Sequence, residues 1–157
     1  MAEATSSQPP SFQAETTPDD RTMAVLAHAL QMVGGFIAPL IIFFAKRQSR
    51  FVAFHSLQAL LLELVYIAIS TCIVVLLIVV LMLTVVTHGV DHSTPPAAIF
   101  ILFPFFWLYF MGVFIVKIVI AVVYSVKAGR GEWAEYPVLG KLARNILKIG
   151  PGGGPLA

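Results

Sequence analysis

The sequence predicts an all-α integral membrane protein with three long transmembrane helices and a short C-terminal amphipathic helix. Of its 157 residues, 59% are hydrophobic and only 11% are charged, whereas about 25% of the residues in a soluble domain are charged. Residues 22–45, 64–90 and 93–116 carry no formal charge. Each of these runs is longer than the roughly 20 residues that cross a bilayer as a helix.

Two tails are predicted to flank a membrane domain at residues 21–148. Residues 1–20 are rich in Ser, Thr, Pro and Gln and contain acids, which is the composition of a disordered segment. They have neither the basic start nor the apolar stretch of a signal peptide. Residues 149–157 are rich in glycine and proline and are predicted to be flexible.

The first helix is predicted at residues 21–45, where Gly34, Gly35 and Pro39 interrupt the apolar run. Glycine and proline weaken a helix, although a membrane helix tolerates them where neighbours satisfy the backbone. Two interpretations follow. Our main prediction is a single kinked crossing, and the alternative is a re-entrant hairpin that turns at Gly34-Gly35.

The second and third helices are predicted at residues 52–86 and 96–127, on either side of a polar break. The second would be roughly 50 Å long, which exceeds the roughly 30 Å of the hydrocarbon layer. Its first turns are therefore expected at or beyond the membrane surface. The loop at residues 46–50 and the segment after residue 126 are basic. The positive-inside rule then predicts a multi-pass protein of the cytoplasmic membrane with its C-terminus in the cytoplasm. The N-terminus lies outside with three crossings and inside with a re-entrant first segment.

Residues 137–148 are predicted to form a short amphipathic helix, because apolar and basic residues fall on opposite arcs at 100° per residue. Such a helix lies on the cytoplasmic leaflet and contacts anionic lipids, or alternatively packs on a soluble partner. Tryptophan and tyrosine favour membrane–water boundaries. The predicted interfacial residues are Trp133, Tyr136, Lys141, Arg144 and Lys148.

Glu63 and Lys117 stand inside apolar sequence at similar distances from Asp91 in the polar break. In an antiparallel helical hairpin they meet at nearly the same depth. One interpretation is an ion or proton site, because intramembrane charges often mark such sites. The other is a register lock between two helices, or two charges that extend to the same interface.

The second and third helices each carry a polar stripe. On a helical wheel His55, Tyr66 and Ser70 fall within one arc, with Gln58 at its edge, and Tyr124 shares a face with Lys117. Interfaces between membrane helices are enriched in small and polar residues. These faces are therefore expected to meet each other. The predicted polar-face residues are His55, Gln58, Tyr66, Ser70 and Tyr124.

No catalytic or cofactor-binding motif is visible in the sequence. It has no nucleophile elbow, phosphate-binding loop or His-Glu-x-x-His. His28 in the first helix has no second His or acid at i+3 or i+4, so a local metal motif is absent. Basic residues follow the apolar runs, and topology explains them better than nucleic-acid binding. We therefore expect no catalytic residue, no cofactor, no metal and no nucleic-acid partner.

Three segments carry a family resemblance: MAVLAHAL, APLIIFFAKRQSRFVAFHSLQALLLEL and YSVKAGRGEWAEYPVLGKLAR. They resemble a family of small bacterial membrane proteins of unknown function, across about residues 21–144. That family is similar to the channel-forming subunit of the chloroplast inner-envelope import translocon. The resemblance implies a helical membrane protein and, through the four-crossing plastid relatives, a transport role. A fourth crossing here requires a split at Gly34-Gly35.

The sequence thus predicts a non-enzymatic helical scaffold or subunit of a membrane complex. Three helices enclose little volume, so we expect a homo-oligomer or an assembly with other membrane proteins. The alternative is a small oligomeric transporter or channel subunit for an ion, solute or peptide. Glu63, Lys117, His55 and Tyr66 are the predicted lining residues of that alternative.

Overall fold

The computed structural model describes residues 16–88 and 97–150, which form an all-helical fold. Most of both predicted tails and most of the polar break, including Asp91, lie outside the described residues. The helices are α1 (Pro18–Gly34), α2 (Ile37–Ala45), α3 (Arg50–His88), α4 (Ala97–Gly129) and α5 (Leu139–Leu147).

Helix α1 begins inside the predicted N-terminal tail. The Thr17 hydroxyl accepts from the Asp20 N–H at 3.1 Å, and the Asp20 carboxylate accepts from the Thr17 N–H at 3.2 Å. This reciprocal pair satisfies two backbone donors that a helix start otherwise leaves unpaired. Pro18 occupies the first turn, where its missing N–H costs nothing. The helix therefore starts before the predicted residue 21.

The first apolar run is a hairpin of two helices, so the prediction of a single kinked crossing is wrong. Gly35 has φ 53° and ψ −135°, a backbone conformation that favours glycine. The chain reverses there, and the Lys46 ammonium at the end of α2 lies 2.7 Å from the Asp19 carboxylate at the start of α1. The alternative, a turn at Gly34-Gly35, describes the observed fold.

Within the described residues, two helices are long and apolar enough to cross a membrane: Arg50–Thr87 and Phe100–Gly129, which contain 18-residue windows with mean hydropathies of 3.1 and 2.4. They correspond to the predicted second and third helices. The prediction of three crossings is therefore corrected to two candidate spans.

Helix α4 ends where the Glu132 N–H donates to the Lys127 carbonyl at 3.0 Å and Gly131 takes φ 77°.

The molecule has two parts, which we call the head and the stem. The head comprises residues 16–63 and 117–150, and the stem comprises residues 64–88 and 97–116. In the head, α1 packs against α3 and α4, while α2 and α5 pack against α3. Residues 51–59 of α3 are buried there. The stem helices expose apolar side chains along their length, including Leu76, Val86 and Phe105, as helices that face lipid do.

Helix α5 has two apolar faces rather than one. Gly140 and Ala143 are buried, and Ala143 packs against Phe54 of α3. A second apolar stripe is formed by Val138, Leu142 and Ile146, which are 77%, 43% and 53% exposed. The helix thus has one apolar face on the head and another that is available to lipid, and its contact with a leaflet stays a prediction.

The hairpin places the start of α1 on the same side as the loop before α3, which labelling tests directly. In a Cys72→Ser background, Thr22→Cys, Gln48→Cys and Lys141→Cys are expected to react with a membrane-impermeant maleimide from one side only. Thr87→Cys, at the far end of α3, is the matched control and is expected to react only from the other side. Reaction of Thr22→Cys and Thr87→Cys from the same side would instead support the three-crossing topology.

Candidate functional site

A chain of hydrogen bonds runs through the centre of the head. The Tyr136 hydroxyl lies 2.9 Å from His28 Nδ1, and His28 Nε2 lies 3.0 Å from His55 Nδ1. His55 Nε2 lies 3.1 Å from the Glu132 carbonyl oxygen. Both imidazoles are fully buried, and Tyr136 is 3% exposed. This chain of hydrogen bonds joins α1, α3 and residues 130–138, which link α4 to α5 and which we call the connection.

The direction of this chain follows from its last member. A carbonyl oxygen only accepts, so His55 Nε2 donates to Glu132, and the Nδ1 of neutral His55 is an acceptor. His28 Nε2 therefore donates to His55, and His28 Nδ1 accepts from the Tyr136 hydroxyl. Burial, followed by repulsion from His55, lowers the pKa of His28 to about 3. Burial also raises the pKa of the Tyr136 phenol, which keeps it a donor.

These bonds occupy all four imidazole nitrogens, so neither histidine has a lone pair for a metal ion. The described residues contain no group of three or more His, Cys, Asp or Glu side chains arranged to hold a metal. The arrangement is suited to holding elements together rather than to binding a cofactor.

Gln58 and Tyr124 satisfy the backbone of the connection. The Gln58 amide donates to the Ala134 carbonyl at 3.1 Å, and its oxygen accepts from the Tyr136 N–H at 2.6 Å. The Tyr124 hydroxyl donates to the Glu135 carbonyl at 2.7 Å. His55, Gln58 and Tyr124 were predicted to line a contact between the second and third helices. Here they hold the connection instead.

Close packing fixes the path of the chain into α5. A Cβ added at Gly140 would lie 2.6 Å from the Glu135 Cβ and 3.0 Å from the Gln58 oxygen. Only glycine fits such a close approach without a shift of the backbone. The Arg144 guanidinium bonds to the Glu135 carboxylate and lies 4.9 Å from the centroid of the Phe54 ring. The connection and α5 therefore form one unit with the start of α3.

The structure brings Glu63 and Lys117 together at the boundary of head and stem. The Lys117 ammonium lies 2.8 Å from Oε1 and 3.1 Å from Oε2 of Glu63, although the hydrogen-bond angle is met only for Oε2. The two side chains are 14% and 3% exposed. The ammonium also lies 4.3 Å from the centroid of the Tyr66 ring. The carboxylate and the aromatic face both stabilise this cation.

Below the pair, α3 and α4 share few polar contacts. The Ser70 and Tyr109 hydroxyls are 3.4 Å apart. A groove of ≈ 540 Å³ opens between the helices, bordered by Tyr66, Tyr109, Gly112 and Lys117 among apolar residues. A Cβ at Gly112 would meet nothing within 4 Å. The predicted polar faces of the two helices thus meet at single points rather than along a continuous interface.

The predicted interfacial residues divide into two groups. Trp133 packs its ring against Phe51 and Phe54, with centroids 5.2 Å and 5.5 Å away, and Tyr136 is buried in the hydrogen-bond chain. Both aromatics contribute to the packing of the head, and their predicted place at the membrane boundary stays a prediction. Lys141 and Lys148 are exposed on α5, as an interfacial role requires.

The fold and the site define a class: a helical membrane protein with two candidate spans, whose buried polar side chains hold a compact head together. Residues 19–143 match the family described as the magnetosome magnetite crystal formation protein family, MamF/MmsF. The chain therefore belongs to that family. No curated protein matches the chain, and no solved structure does. The resemblance to a small bacterial membrane protein family is confirmed at that level, and the similarity to the import translocon stays a prediction.

Replacement of the charge pair tests its structural role. Glu63→Gln or Lys117→Met alone leaves one charge buried without its partner, which typically costs roughly 3–5 kcal/mol. We expect both single variants to unfold at lower temperature in detergent, and the double variant to recover most of the loss. Circular dichroism at the helical band follows the transition. A double variant that is no more stable than the less stable single variant would contradict the role of the pair as a register lock between α3 and α4.

The neutral imidazole chain predicts that the head loses stability in acid. Unfolded His28 takes up a proton near its ordinary pKa of 6.5, whereas in the fold its pKa is about 3. Between those values the unfolded state binds more protons, so stability falls as the pH falls below 6.5, by up to about 1.4 kcal/mol per pH unit. Trp133 fluorescence in a Trp107→Phe background reports unfolding of the head. We expect His28→Gln to be less stable near neutral pH and to show a shallower slope, and an unchanged slope would contradict the assignment.

Proposed function

We propose that the chain is a non-catalytic membrane scaffold that takes part in magnetite crystal formation. Membership of the magnetosome family supports the process. The observation that carries the scaffold role is the use of the buried polar groups. Tyr136, His28, His55 and Gln58 direct their hydrogen bonds to one another and to the backbone of the connection. These four side chains, of types that are common in reactive sites, thus hold the elements of the head together.

The scaffold presents the basic end of its head on one side of a membrane. The basic loop, the end of α4 and α5 all lie in the head, and the positive-inside rule supports a cytoplasmic location for them. The exposed cations of α5 support contact with anionic lipids beside its outward apolar stripe. Apart from the pair of Lys117 and Glu63, the head has more basic than acidic residues. The basic residues are Arg21, Lys46, Arg47, Arg50, Lys127, Arg130, Lys141, Arg144 and Lys148, and the acidic residues are Asp19, Asp20, Glu132 and Glu135.

The stem supports assembly with further membrane helices. Its two helices diverge enough to leave apolar grooves, and Gly112 opens one of them. Van der Waals packing against a neighbouring helix favours such small-residue openings. We therefore propose that the scaffold works as a homo-oligomer or together with other membrane proteins, without a nucleic-acid partner.

The alternative is a transporter or channel subunit, which the translocon similarity implies. It needs His55, Tyr66, Glu63 and Lys117 along one water-filled path. His55 is buried in the head with both ring nitrogens bonded, and the Lys117 ammonium is covered by Glu63 and the Tyr66 ring. These contacts favour the scaffold over the transporter.

Complementation of a magnetite-forming bacterium that lacks its own family member separates the two functions. We expect the wild-type chain to restore the size and shape of the crystals, measured by electron microscopy. The double variant Glu63→Gln/Lys117→Met is expected to restore them too, because a scaffold needs the fold and not the charges.

Immunoblots of the membrane fraction establish that both proteins accumulate equally. Liposomes that contain each protein are assayed for ion and solute flux in parallel. Failure of the wild-type chain to affect crystals would refute the proposed process. Flux through the wild-type protein that the double variant abolishes, together with loss of crystals, would replace the scaffold with the transporter.

A further inference from the structure

The described chain is much wider at one membrane face than at the other. At the level of Lys46 and Lys127, helices α1 and α2 pack beside α3 and α4, and α5 packs on α3. Along the stem, only α3 and α4 are present among the described residues. The described residues therefore have the cross-section of a wedge, with the thick end in the head.

The α1–α2 hairpin lies beside the last turns of α4 and not beside the stem. Helix α1 runs back along the end of α4, with the Ser125 hydroxyl 3.4 Å from the Val25 carbonyl oxygen. Near the hairpin tip, Met32 borders the same surface pocket as Ile118. Helix α4 covers about 15 Å between Lys127 and Lys117, which is half of the roughly 30 Å hydrocarbon thickness. In a bilayer whose headgroup level lies at Lys127, the tip at Gly34-Gly35 would thus end within one leaflet.

The outer surface of the hairpin is suited to lipid. Val33, Ile37 and Ile41 are 91%, 54% and 62% exposed, and no formal charge occurs between Thr22 and Ala45. The ion pair of Asp19 and Lys46 lies at the opposite, open end of the hairpin. This order of a charged end and an apolar tip matches a headgroup region above a hydrocarbon region.

We propose that the hairpin is a leaflet-restricted wedge through which the chain recognises curved lipid bilayer, convex on the side of the head. Two extra helices and the outward stripe of α5 expand one leaflet, while the other leaflet accommodates, of the described residues, only parts of α3 and α4. Convex curvature on the head side supplies area to the crowded leaflet, so the free energy of the embedded protein is lower there. The partner is a lipid surface of a given shape. The inference requires that α3 and α4 cross the membrane, and it does not require the role in crystal formation.

Sorting between flat membrane and a nanotube tests this recognition. The fluorescently labelled full chain is reconstituted in giant vesicles of mixed neutral and anionic phospholipids, and an impermeant quencher establishes the orientation of the head. From vesicles with heads outside, we expect the tube to be enriched in protein relative to the flat membrane. With heads inside, the tube is expected to be depleted. Equal density on tube and flat membrane in both orientations would overturn the proposal.

Two matched double variants assign the effect to the hairpin. Val33→Ser/Ile37→Ser makes the tip polar. Val86→Ser/Ile78→Ser changes the same residue types in the stem, where Val86 and Ile78 are 78% and 51% exposed. We expect the hairpin variant to lose most of its enrichment and the stem variant to keep it. Full enrichment of the hairpin variant would overturn the proposal. The reversal of sign with orientation tests the wild-type protein even if a variant fails to fold.

Discussion

The head depends on the contact between His28 and His55. It is a hydrogen bond between two neutral, fully buried imidazoles, and burial of either ring without a partner would cost about 1–3 kcal/mol or more. Because each ring uses its second nitrogen as well, the contact extends on one side to Tyr136 and on the other to the backbone at Glu132. Three segments far apart in sequence are thereby held at one point. The packing of Phe51 and Phe54 around Trp133 surrounds that point with apolar surface.

The same constraint explains how a connection without regular structure is held against the head. Backbone groups that face the protein need partners, and without a neighbouring strand or helix those partners are side chains. Gln58 acts on the connection as both donor and acceptor, as a neighbouring strand would. An amide side chain is suited to this because it presents one group of each kind. The position of α5 then follows from the connection, and its basic and apolar faces are oriented as a consequence.

The sequence predicted the parts of the fold that depend on local composition. The charge-free runs around Leu76 and Phe105 indicated α3 and α4, and the helical period indicated α5. The first run was ambiguous, because a crossing helix and a hairpin both place apolar residues in lipid. The Gly34-Gly35 signal was visible, but the contact of Asp19 with Lys46 that distinguishes the two arrangements is not local. The pairing of Glu63 with Lys117 followed from depth alone. The hydrogen-bond partners of His55 and Gln58 could not be predicted from the sequence, since a helical wheel shows a polar face and not what covers it.

The hydrogen bond between Tyr136 and His28 joins residues 108 positions apart, and this separation has a consequence for biosynthesis. Helix α1 is synthesised before α3 and the connection, yet the groups that satisfy its buried imidazole come from those two later segments. Long-range contacts of this kind form only after most of the chain is available. Completion of the head therefore follows the synthesis of α3, α4 and the connection. Any truncation before Tyr136 leaves His28 without one of its two partners. The connection thus acts as a checkpoint on the placement of α1.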